Sequence, residues 1–162
     1  MWAADCAERV LGFFESEAPG DCRPRDAIAR TRGFARGELD VAREIRRRFV
    51  GRGAASEVRA PAAVAAARAA GQAAAVSHMG AHALGAAAYA AKAAGLATPD
   101  RPEAISDEIR WQLGHMSAAV RTVLGGLPPA GEDSSGPLGP GLLTSGLLGS
   151  VVRDLQAGLV DS

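Results

Sequence analysis

Residues 61–96 read PAAVAAARAAGQAAAVSHMGAHALGAAAYAAKAAGL, and the reading of this stretch decides the fold. More than half of it is alanine, the strongest helix former, and from Ala69 to Ala91 it carries no formal charge. On a helix, Gly71, Ala75, His78, His82, Gly85, Tyr89 and Lys92 follow one another at steps of four and three. They form a single seam, roughly 31 Å long at 1.5 Å per residue if the helix is unbroken. An apolar core seam carries Leu, Ile or Val, whereas this one mixes Gly and Ala with polar or titratable side chains. Such a face either packs against a neighbouring helix and meets its polar groups there, or lines a site. Gly80, after Met79, predicts two helices, about 61–78 and 81–95. The rows Ala67–Gly71–Ala75 and Ala81–Gly85 are small enough to let helix backbones come near one another.

Outside this stretch large anchors are few. Leu, Ile, Val and Phe make up about a fifth of the chain, near the low edge for a globular fold. The bulky candidates are Trp2, Phe13, Phe14, Phe34, Phe49, Tyr89 and Trp111. On the N-terminal side, Trp2 to Ser16 reads as a helix with the stripe Ala3, Cys6, Ala7, Val10, Phe13 and Phe14. A second helix starts near Pro24, turns Ala27, Ile28, Thr31 and Phe34 or Ala35 inward, and closes at Gly37. A third runs from the N-cap Asp40 to Val50, with Val41, Ile45 and Phe49 on its apolar side. Its arginines, Arg43, Arg46, Arg47 and Arg48, followed by Arg52, read as a solvated face balanced by Glu38, Asp40 and Glu44, the alternative being a patch for phosphate or an acidic partner.

On the C-terminal side, one helix is expected from about Glu103 to Leu124, with Ile105, Ile109, Leu113, Met116, Val120, Val123 and Leu124 on its apolar side and Trp111 and His115 on another. Pro128 to Gly141 turns to Pro, Gly, Ser and acids, the composition of a flexible linker. Beyond it Leu143, Leu147, Val151, Leu155 and Leu159 keep a step of four. Gly146, Gly149 and Gly158 weaken the tail helix that this pattern predicts. The fold class is therefore all-α: an antiparallel bundle of about six helices around an Ala/Gly-rich pair. Residues 1–127 form the domain, and 128–162 are a linker with a possible tail helix.

Charge and chemistry narrow the function. Lys plus Arg equal Asp plus Glu at 18 each, which gives no electrostatic case for nucleic acid. The uncharged alanine run has the length of a membrane span, but Gln72, Ser77, two histidines and an alanine majority give little transfer energy, so no membrane partner is expected. The two cysteines, Cys6 and Cys22, read as reduced thiols, and the acids of MWAADCAERV stand where an export signal needs a basic segment; both point to the cytoplasm. His78 and His82 have the i, i+4 spacing of helical metal ligands. Met follows the first of them where metalloproteases carry Glu, and no third ligand stands at a telling spacing, so no metal and no cofactor is expected. There is no P-loop, dinucleotide fingerprint, serine elbow or nuclease-like acid cluster. Lys92 needs a surface end or an acid from a neighbouring helix, and Asp5 and Glu8 are the natural candidates. The seam residues Arg68, His78, His82, Tyr89 and Lys92 then hold helices in register through polar contacts.

Several stretches together resemble a bacterial family of putative immunity proteins of toxin–immunity systems. They are Trp2-Ala3-Ala4-Asp5-Cys6-Ala7-Glu8-Arg9-Val10-Leu11, Asp21-Cys22-Arg23-Pro24-Arg25-Asp26-Ala27-Ile28, Ala67-Arg68-Ala69-Ala70-Gly71-Gln72-Ala73, His78, His82-Ala83-Leu84-Gly85-Ala86-Ala87-Ala88-Tyr89-Ala90-Ala91-Lys92-Ala93 and Trp111-Gln112-Leu113. The resemblance covers roughly residues 2–124. It implies an all-α intracellular domain without a known catalytic role. Family members carry a further N-terminal segment, which implies apolar surface near Trp2 that the tail helix would cover. The expected function is a non-catalytic protein that binds and neutralises a cognate toxin, in an oligomeric state the sequence leaves open. The alternatives are a small helical ligand- or metal-binding protein using the His78/His82 seam, or an enzyme of unrecognised class. Candidate partner, ligand or polar-seam residues are Arg68, His78, His82, Tyr89, Lys92, Asp5, Arg23 and Trp111, the last of which also reads as core.

Overall fold

A computed structural model describes residues 1–47 and 53–160. Among the described residues the regular structure is all helical: α1 (Trp2–Glu17), α2 (Arg23–Ala35), α3 (Val41–Arg47), α4 (Pro61–Ala75), α5 (His82–Leu96), α6 (Arg101–Gly114), α7 (Ala118–Gly125) and α8 (Gly146–Val160). Short 3-10 turns at Ala54–Ser56 and Leu142–Thr144 precede α4 and α8. Of the arginine-rich segment, Arg48, Phe49, Val50 and Arg52 lie outside the described residues, as do the side chains of Val41 and Arg47.

The alanine stretch divides as Gly80 predicts. Pro61 opens α4, where its missing N–H costs nothing, and the helix ends at Ala75. The connection closes through tight bonds, His82 N–H to the Met79 carbonyl at 3.1 Å and Ala83 N–H to that of Gly80 at 3.0 Å. The break cuts the seam between Ala75 and His82, so the seven residues do not lie on one helical face. α4 and α5 make the most extensive interhelical contact of the molecule. Gln72 meets His82, and Arg68 meets Tyr89, so the pair is antiparallel. α1 lies across both, α2 covers α4, and α6 and α8 cover α5. Eleven residues of α5 are buried, including Leu84, Tyr89 and seven of its alanines.

The small-residue rows act differently from the expected backbone approach. A methyl group at Gly71 would meet nothing within 4 Å, so this glycine admits no neighbour. At Gly85 it would meet the Gln72 Oε1 at 2.5 Å and the Leu143 Cδ1 at 2.8 Å. That glycine makes room for two side chains, one of them from the tail.

Four further expectations change. The helix foreseen over 103–124 is two. α6 stops at Gly114, and Ser117 caps α7 by accepting a hydrogen bond from the Val120 N–H at 3.3 Å. Phe13 stands 38% exposed, while Trp2, Leu11 and Phe14 carry the buried face of α1. Glu44 is buried rather than solvated, because Arg30 of α2 donates to it at 3.0 Å. Trp2 is buried against α6, and the tail helix makes its main contacts with α5, α6 and α7 rather than over Trp2.

The C-terminal segment has contacts of its own. Leu138 is buried, Gln156 ties the Pro128 carbonyl and the Ala130 N–H, and Gly131 N–H donates to the Leu138 carbonyl. Gly146 starts α8 with φ at 55°, a left-handed conformation that favours glycine. From there Leu148, Val151, Val152, Leu155 and Leu159 point inward.

Candidate functional site

Two polar clusters flank α5. One is the remainder of the seam, at the α4–α5 edge. His82 Nδ1 lies 2.7 Å from the Gln72 Oε1, so this ring nitrogen is the donor. Two turns on along α5, the Tyr89 ring is buried with the guanidinium of exposed Arg68 above it, 5.8 Å from the ring centroid. Lys92 follows a further turn along α5, half-buried. Its expected acids are taken: Arg32 of α2 donates to Asp5 at 2.7 Å and to Glu8 at 2.6 Å. The same hydrogen bond holds the Glu8 carboxyl below its ordinary range. His78 is exposed in the turn, away from the α5 face that bears His82. Among the described residues no three His, Cys, Asp or Glu side chains group as a metal site.

The second cluster lies where α1 crosses α6. Arg9 of α1 donates through Nε to both carboxylate oxygens of buried Glu108, at 2.9 and 3.2 Å. Fully buried Gln112, one turn along, donates to Glu108 Oε1 and to the Ala87 carbonyl of α5, each at 3.1 Å. Its own Oε1 has no protein partner among the described residues. Trp2 closes the group by donating Nε1–H to the Gln112 carbonyl at 2.8 Å. Over the outer side, the Arg9 guanidinium sits 3.9 Å from the centroid of the Trp111 ring, and His115 stacks on Trp111 at 4.0 Å. His115 Nδ1 is 3.1 Å from the Trp111 carbonyl, which can only accept, so Nδ1 carries the proton. Trp111 is thus half-buried, packed against the core and covered on its outer side by an arginine and a histidine. Beside this network the Cys6 thiol is pushed well above its usual value, first by burial and then by the Glu108 and Asp5 charges.

Arg23 is turned to local work. It binds Asp21 through Nε, at 2.8 and 3.0 Å, and lies over Gly53, which brings the start of α2 to the loop before α4. The structure therefore brings Arg68, His82, Tyr89 and Lys92 along one edge, places Asp5 and Trp111 in contacts of α1, and leaves His78 and Arg23 apart from both. The sequence reading missed Arg9, Gln72, Glu108 and Gln112. The last two had a signal: Ile105, Glu108 and Gln112 follow at steps of three and four, which puts both polar residues in line with an apolar residue that packs against the core.

Neither cluster presents a nucleophile held by a base. Cys6 and Cys22 are not bonded to one another, and Cys22 is exposed. No helix among the described residues is long and apolar enough to cross a membrane. In comparisons with known proteins, the model of a family described as Imm-5 like putative immunity protein matches residues 1–119. Neither the curated proteins nor the solved structures gave a match. The matched region takes in α1 to α6, with both clusters, and stops within α7.

Proposed function

The chain belongs to the Imm-5 like putative immunity protein family, and from that membership we propose that it binds a cognate bacterial toxin and neutralises it without chemistry of its own. The family match over residues 1–119 is the observation that carries this reading. The side chains support it. Polar groups of the α1–α6 cluster are spent on each other: Arg9 on Glu108, Gln112 on Glu108 and a backbone carbonyl, Trp2 on Gln112. Apart from the Gln112 Oε1, the group pairs its polar atoms internally, which fixes helix register and suits a protein that presents a rigid surface to a partner. The proposal places the protein in the cytoplasm of the toxin-producing bacterium, with no nucleic acid, membrane or cofactor.

The test is co-expression with candidate toxin domains taken from the gene's neighbourhood. Cells carrying the toxin alone should stop growing, and cells carrying both should grow, with the two proteins co-purifying in fixed proportion. Growth arrest unrelieved by this protein, with no complex on gel filtration, would remove the reading.

A further inference from the structure

We draw no further inference here: the strongest candidate, the outer face of the α1–α6 crossing where exposed His115 stacks on half-buried Trp111 beside Arg9, is a surface patch whose cation is already paired with Glu108, and nothing in the structure shows what covers it.

Discussion

Glu108→Ala tests the polar network at the α1–α6 crossing most directly. The carboxylate is 5% exposed and accepts hydrogen bonds from Arg9 and Gln112, while the Arg9 side chain is 39% exposed. Removing it leaves Gln112 with only the Ala87 carbonyl, a loss of about 1 kcal/mol for a neutral hydrogen bond. The Arg9 bond is charge-assisted but partly screened; solvent takes over some of it, so about 1 kcal/mol is the share that burial protects. The space left by the carboxyl and its methylene adds about 1 kcal/mol if the site does not collapse. The sum is about 2–4 kcal/mol, and at about 2–4 °C per kcal/mol for a chain of this size, Tm should fall by about 5–15 °C. Thermal circular dichroism reads this. A cycle with Arg9→Met isolates the pair, which should show a coupling of about 1 kcal/mol. If Glu108→Ala melts within about 2 °C of wild type, the network is ornamental and the account of how α1 and α6 are held together is wrong.

Three other outcomes follow from the same contacts. Gly12→Ala on the open face of α1 should raise stability by about 0.5–1 kcal/mol, whereas Gly158→Ala in α8 should lower it, because its methyl group would run into the Leu113 side chain; urea melts giving both the same sign would refute the packing of α8 on α6. Arg32 holds the Glu8 carboxyl below 4.5, so the stability this pair supplies is complete above about pH 4.5 and is lost as pH falls through the lower folded value. Arg32→Met should therefore flatten the decline of Tm between about pH 5 and pH 3, and an unchanged slope would remove the pair from the account. A chain truncated after Leu127 should lose several degrees of Tm and bind a hydrophobic dye, since α8 covers one side of α5; unchanged melting would make residues 1–127 a self-sufficient domain.

The helical character of the chain was legible because alanine propensity and the two breakers Gly37 and Gly80 act locally, and Gly80 divides α4 from α5 where its position predicts. Local patterns say less about which polar residues are buried. Glu44 looked solvated because its own helix offers only arginines and acids; its partner, Arg30, is 14 residues away on α2. Lys92 looked destined for Asp5 and Glu8 until Arg32 reached them first. In both cases opposite charges were plentiful, and the pairing was decided by which faces of neighbouring helices meet. The stop at Gly114 was hidden for another reason: the apolar steps run straight through it from Leu113 to Met116 and Val120, and only the cap at Ser117 marks the new helix.

An alanine-rich α5 raises the question of what gives its packing a single register. Alanine methyl groups bury little area, at about 25 cal/mol per Å², and a slide of one turn replaces alanine with alanine. Non-repeating contacts must therefore break the degeneracy. On the α4 side these are His82 with Gln72 and Arg68 over Tyr89; on the α6 side, Gln112 reaching the Ala87 carbonyl; on the α8 side, Leu143 seated at Gly85. All but the Gln112 bond, whose backbone carbonyl recurs at every turn, join a side chain that occurs once to a position on α5 that no other turn reproduces. A shift of one turn would part His82 from Gln72 and press Leu143 onto a side chain. The same logic explains why the seam reads as polar residues among glycine and alanine: small residues let the helices lie side by side, and the few larger ones decide where they stop.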